Sequence, residues 1–175
     1  EAPLKIGDTN IWCMGLAPHG PEGSRLGWVA VLVIETRGER LVYAPDVQGP
    51  VSRRTLEMIK ESGAALAIVG GPPFYLAGSK VSRRHVDEGR DNLAALASSL
   101  TVVTGHHMLR SADWRDSLGS AAAKVLTFAS IAGTEEKLLE AYRRELYEYS
   151  PPSDEYMKWL EKIKKGEKEA PPPLD

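Results

Sequence analysis

Residues 28–36 (WVAVLVIET) and 40–44 (RLVYA) are dense in β-branched and aromatic side chains, and they flank Arg37-Gly38-Glu39. Two such runs across a short glycine-bearing gap predict a β-hairpin. Residues 5–15 predict a shorter preceding strand or strand pair, with Gly7-Asp8 as its turn. After Ala44 the period lengthens. Ser52 can cap a helix running through Glu61 with Leu56 and Ile59 on one side, and the apolar run 64–69 (AALAIV) follows, ending in Gly70-Gly71-Pro72-Pro73. Ser82 can cap a second helix with Val86, Leu93, Leu96 and Ala97 on one side. A second short apolar run, 100–103, ends at Thr104-Gly105-His106-His107. Beyond it the pattern predicts a helical segment at 111–123, a short strand at 125–128, and a helix from Thr134 to about Tyr149, stopped by Pro151-Pro152. A last helix is predicted over 153–165.

An antiparallel hairpin followed by strand–helix–strand–helix alternation predicts an α/β fold, a mixed sheet with helices packed on it. Residues 1–149 are expected to form the body and 150–165 a C-terminal helix. Residues 166–175, charged and then proline-rich (PPPLD), are expected to form a flexible solvated tail.

Composition narrows the function classes. A chain of 175 residues can bury one real core. A net charge of −2 gives no global drive toward nucleic acid or an anionic membrane. No apolar run is long enough to span a bilayer, and no signal peptide is expected before the first structured segment. Cys13 is the sole cysteine, which points to a reducing compartment, the cytoplasm. It lies in an apolar strand-like stretch, where a buried inert thiol is expected.

Three polar clusters sit where predicted strands end: His19, Asp46, and the pair His106-His107. Imidazole and carboxylate together are the ligand set for zinc and similar divalent metals, and a catalytic ion needs only about three protein ligands. Plainer roles fit the same positions. His19 can be a turn residue, Asp46 can cap the loop Ala44-Pro45-Asp46-Val47-Gln48-Gly49-Pro50, and the histidine pair can be one packed ring and one solvated ring. The glycine–proline run at 70–73 lacks the Lys-Ser/Thr of a phosphate-cradling loop and is expected to turn the chain at a rim, presenting Phe74 or Tyr75. Arg25 and Arg110 are either contacts for an anionic substrate or surface charge. The basic doublets at 53–54, 83–84, 143–144 and 164–165 are interleaved with acidic residues on predicted helices. They read as solvated faces, so nucleic acid is possible as a partner but not favoured.

The stretches PHGPEGSRLG, APDVQGP, GGPPFYLAG and GHHMLR, in this order, resemble the C-terminal half of an uncharacterised archaeal family of metallo-β-lactamase-fold proteins, over Lys5 to about Glu148. In that superfamily two ββα halves pack into an αββα sandwich with a metal site at one edge. The first half carries a His-x-His-x-Asp-His signature, and the second supplies a His, a bridging Asp and a last His. The resemblance makes His19 the histidine of the second half and Asp46 the bridging carboxylate, with a catalytic part in orienting the attacking water. His106 fits the last His because it directly follows a predicted strand. Its spacing to Arg110 is similar to the His-x-x-x-Arg of the tRNA-processing ribonuclease Z branch. His107 is the alternative ligand or a substrate contact, beside Arg25, Arg110 and Tyr75. Pro18 and Gly20 would hold the His19 imidazole in one orientation.

No His-x-His-x-Asp-His occurs in these 175 residues, and the remaining histidine, His85, lies on a predicted helix. The resemblance therefore implies an active site completed by an N-terminal half of the same protein or by a second polypeptide. Residues Tyr156, Trp159, Leu160 and Ile163 are candidates to dock on that half or on another subunit. The implied activity is a zinc-dependent hydrolase, with two ions activating a water against an ester or phosphoester, on a small molecule or another phosphoester substrate. The rivals are a non-catalytic metal-binding or assembly module and, more narrowly, a nuclease.

Overall fold

Seven strands follow one another in sequence order across a single mixed sheet in the computed structural model, which describes residues 3–173. They are β1 (Leu4–Ile6), β2 (Thr9–Pro18), β3 (Trp28–Thr36), β4 (Glu39–Ala44), β5 (Leu66–Val69), β6 (Thr101–Thr104) and β7 (Val125–Thr127). The pairs from β1 to β4 are antiparallel, and those from β4 to β7 are parallel. The fold is α/β. The β3–β4 hairpin turns through Arg37 (φ 52°) and Gly38 (φ 83°), both left-handed, as the favoured two-residue hairpin turn requires.

Parallel neighbours need crossovers, and the two capped helices supply them. Helix α1 (Arg53–Glu61) links β4 to β5, and α2 (Arg83–Ala97) links β5 to β6. The Ser52 hydroxyl accepts the Thr55 N–H at 3.3 Å, and the Ser82 hydroxyl accepts the His85 N–H at 3.2 Å. Leu56 and Ile59 of α1, and Leu93 and Leu96 of α2, bury against Val31, Val33, Val42, Ala67, Val69 and Val102 of the sheet. Trp114, on α3 (Trp114–Leu118), closes this core and is almost fully buried.

The direction of the strands decides where chemistry can collect. β2 and β4 both run antiparallel to β3, so β2, β4, β5 and β6 all end at the same edge of the sheet. His19, Asp46, Gly70-Gly71 and His106-His107 each lie just beyond one of those ends.

Alternation along the strands puts a second apolar set on the opposite face. Leu16 pairs with Ala30 and Leu32 with Tyr43, and Trp28 lies two residues before Ala30 on that side. Trp28 is 62% exposed, with Leu16, Ala30 and Tyr43 also exposed. Cys13, opposite Leu32, shares this face and is exposed, so the expectation of a buried thiol is corrected. Trp28→Lys is accordingly expected to shift the chain's own unfolding free energy by less than about 0.5 kcal/mol, read from its urea midpoint.

The chain departs from the predicted helices after β6. Residues 111–123 are not one helix; α3 is followed by a 3₁₀ segment, Gly119–Lys124. Phe128 opens α4 (Phe128–Ile131) rather than ending a strand, because Thr127 and Ser130 form a reciprocal cap. The helix expected from Thr134 begins only at α5 (Arg143–Tyr149). Gly133 (φ 63°) ends α4, and the Glu136 carboxylate is taken by Arg115 at 2.6 Å and the Thr127 hydroxyl at 2.8 Å. These tertiary contacts hold the segment out of the helical path that its local pattern favours.

The chain divides after Leu138 into two compact units. The second holds α5 and α6 (Asp154–Lys164), the latter capped by Ser153. The Trp159 indole donates to the Glu169 carbonyl at 2.9 Å, and Lys162 pairs with the Glu169 carboxylate at 2.8 Å. The start of the expected solvated tail is thereby fastened to α6; Leu174 and Asp175 lie outside the described residues. The Trp159 and Tyr156 rings lie beside each other, tilted by 40° at a centroid separation of 5.3 Å. Among the described residues no helix is long and apolar enough to cross a membrane.

Candidate metal centre

Each arm of the site is held by its strand and by a short constrained loop. The loop bearing His19 is closed at its base, where the His19 N–H donates to the Gly27 carbonyl at 3.0 Å. Asp46 stands in the left-handed region (φ 55°), a conformation that Asp tolerates better than most residues. Its loop is tied to the end of β5 by two hydrogen bonds: Gly70 N–H to Ala44 O at 3.1 Å, and Gly49 N–H to Gly70 O at 2.6 Å. Gly70 has to be glycine, since a Cβ there would stand 2.6 Å from the Asp46 nitrogen. Beyond β6 the chain curls at His107 (φ −61°, ψ −47°) into the turn Met108–Arg110, whose Met108 is fully buried.

These constraints converge on one point. His19, Asp46 and His107 each offer a ligand atom, and the three atoms lie within 4.8 Å of one another. Asp46 Oδ1 is 3.2 Å from His107 Nε2 and 3.1 Å from His106 Nε2. Neither approach has hydrogen-bond geometry, and Asp46 Oδ1 is buried without a hydrogen bond, as is His107 Nδ1. A buried carboxylate oxygen left so is costly, and a cation at the convergence of two imidazoles and a carboxylate would satisfy it. The nitrogen–nitrogen–oxygen donor set is one that zinc accepts, so the residues fit a divalent ion.

Of the paired histidines, the cluster includes His107. The sequence favours His106, which directly follows the strand, but the third member of the cluster is His107. The His107 side chain is 14% exposed and that of His106 is 53% exposed. The curl at residue 107 carries the second ring inward, while His106 touches Asp46 from the solvent side at a ring separation of 4.2 Å from His107. Burial, and next the neighbouring His106, hold the His107 imidazole below the ordinary histidine range; Asp46 opposes them, and Arg110 and His19 add to the depression. A neutral imidazole at pH 7 is the form a metal requires.

Around this centre, the Arg110 guanidinium donates to the Tyr75 hydroxyl at 3.0 Å and lies over its ring at 5.7 Å, which joins the segments after β5 and β6. Phe74 packs toward the core, leaving Tyr75 outward. Arg25 is exposed in the His19 loop and lies outside the cluster, as does His85 on α2. Glu22 and Gln48, which the residue pattern did not single out, both brace the site: the Ser52 hydroxyl donates to Glu22, and the Gln48 amide lies against Gly20.

A UPF0282 protein of Methanopyrus kandleri is 42% identical over 147 residues, covering 82% of this chain and 50% of the relative. One of Pyrobaculum aerophilum is 39% identical over 155 residues, 84% of this chain and 50% of the relative. Another, of Thermococcus gammatolerans, is 36% identical over 144 residues, 81% and 47% respectively. The chain is similar to archaeal UPF0282 proteins. It spans about half the length of these relatives. No protein-family profile matches the sequence, and no solved structure matches it.

Proposed function

We propose that this chain carries one half of a metallo-β-lactamase-type centre and serves a zinc-dependent hydrolase of an ester or phosphoester. The observation that carries the reading is the convergence of His19, Asp46 and His107 at one sheet edge, with a buried carboxylate oxygen that accepts no hydrogen bond. These three residues would hold the ion; a second ion would share Asp46, and His106, 3.1 Å from that carboxylate, would be the nearest further imidazole to bind it. Zinc supplies Lewis acidity in such a centre, polarising the scissile bond and activating water near neutral pH. Arg110, steadied by Tyr75, offers positive charge beside His107 to an anionic ester.

The completing half is an N-terminal part of the same protein or a second polypeptide, acting in the reducing cytoplasm. Two features support it: the relatives are about twice as long as the matched stretch, and the sheet face bearing Leu16, Trp28, Ala30 and Tyr43 is apolar and exposed. Faces of that kind are what sheet-on-sheet packing buries.

Native mass spectrometry after zinc exposure tests the reading. A complex with a second polypeptide and two zinc-mass ions, active on a nitrophenyl phosphoester, is the expected result. A 19.1 kDa species that takes up no zinc would overturn the metal centre. A zinc-loaded complex without turnover on esters or phosphoesters would overturn the hydrolase and favour a metal-binding assembly module.

A further inference from the structure

We infer that Glu22 and Gln48 are positioning residues, which lock the loop carrying His19 onto the segment carrying Asp46; the inference rests on the metal-centre reading above. The His19 loop is closed at its base by the His19–Gly27 hydrogen bond, but that bond says nothing about where its tip sits relative to Asp46. Two side chains fix the tip. The first is Glu22, three residues beyond His19, whose carboxylate accepts the Ser52 hydroxyl proton. Ser52 is 3% exposed, and its oxygen also accepts the Thr55 N–H, so its one donor is committed to Glu22. Helix α1 has no acidic residue in its own first turn, and Glu22 brings a negative charge to that end from another segment.

The second is Gln48, which is 4% exposed and belongs to the same loop as Asp46. Its amide occupies the space beside Gly20 in which a side chain would otherwise stand; a Cβ on Gly20 would be 3.0 Å from Gln48 Oε1. Gln48 is itself left-handed (φ 56°), and the segment around it is anchored by Asn92 Nδ2, which donates to the Pro50 carbonyl at 2.9 Å. Residues 46–52 thus provide a candidate ligand, a shelf for the His19 loop and an anchor for its tip. A metal site gains affinity when its ligands are held in place before the ion arrives, and such supporting groups typically alter affinity by about 10–100-fold in buried sites. Glu22 is exposed, so its share is smaller.

The test is zinc titration of the full 175-residue chain by calorimetry, with the cobalt(II) absorption spectrum as a second readout, well below the melting temperature of each metal-free variant. Glu22→Ala is expected to weaken zinc binding about fivefold, as loss of one hydrogen bond predicts, and Gln48→Ala about tenfold. Glu22→Gln keeps an acceptor oxygen for Ser52 and is expected to restore affinity to within about twofold of the parent. A merely structural role would lower melting temperature without changing affinity or the cobalt spectrum of the folded variants. Parent chain that binds zinc, with both alanine variants binding equally well, would overturn the positioning role and leave the centre standing. Parent chain that binds no zinc would overturn the centre itself.

Discussion

In the 175-residue chain alone, where His19, Asp46 and His107 would hold a single ion, His107→Ala is expected to weaken zinc binding at least about 100-fold, whereas His106→Ala leaves it within about threefold, because only the former removes a member of the converging cluster. A 100-fold loss corresponds to about 2.7 kcal/mol of binding free energy. His107 is largely buried and faces Asp46 Oδ1 at 3.2 Å; its loss leaves His19 and Asp46 to bind alone. His106 makes a contact of similar length, but from the exposed side and outside the cluster. Its removal has an indirect effect of known sign. His106 helps to depress the His107 pKa, so His106→Ala lets that pKa rise toward the ordinary value of about 6.5. At pH 7.5 His107 remains mostly neutral in either protein, and proton competition there is small. At lower pH the variant binds zinc more weakly than the parent, since protonation of His107 sets in earlier. Competition against a chromophoric chelator at pH 7.5 and at pH 6 measures both effects. Equal losses for the two variants would mean that both imidazoles are ligands, and a larger loss for His106→Ala would overturn the assignment drawn from burial.

The distinction between these two histidines shows where sequence reasoning stops. Four histidines in the chain, three of them at the ends of predicted strands, make the site's neighbourhood visible without coordinates. Strand direction is also legible: a hairpin followed by helical crossovers puts the ends of β2, β4 and β6 on one edge. Which ring of an adjacent pair turns inward depends on one residue's backbone angles and on the burial of Met108, and no periodicity reports that. The bracing residues were hidden for a different reason. Ser52 was legible as a helix cap because that role is local, but its second bond, to Glu22, joins segments far apart in sequence. Helices α1 and α2 were legible for the same local reason, with capping serines and one-sided apolar spacing. The expected helix from Thr134 failed because Glu136 is claimed by Arg115 and Thr127, contacts that a helical pattern cannot anticipate. Cys13 failed because an apolar neighbourhood in the chain does not say which of two sheet faces a residue joins, and in this chain the second face is apolar too.

Gly89→Ala is expected to destabilise the chain by about 2 kcal/mol, lowering its melting temperature by roughly 4–8 °C in calorimetry. The sign is the informative part. Gly89 lies inside α2, where exchange of glycine for alanine ordinarily stabilises by about 1 kcal/mol through helix propensity and the entropy of the unfolded chain. Here a Cβ would stand 2.3 Å from the Gln48 carbonyl oxygen and 3.3 Å from Val51 Cγ2. The approach is mutual, since a Cβ on Gly49 would stand 2.7 Å from the Gly89 carbonyl oxygen. Both surfaces are backbone, so no flexible side-chain end can swing aside, and the helix or the 46–52 loop has to move. The loop carries Asp46 and Gln48, and movement of either element changes its seat on α2. The same substitution is therefore expected to weaken zinc binding at temperatures where the variant remains folded. Gly105→Ala is the control: it has no neighbour within 4 Å and no left-handed backbone, and its melting temperature is expected to match the parent's within about 2 °C. A Gly89→Ala chain that melts higher than the parent would show that helix propensity outweighs the contact. Loop and helix would then lack the tight seat from which Asp46 is presented to the metal edge.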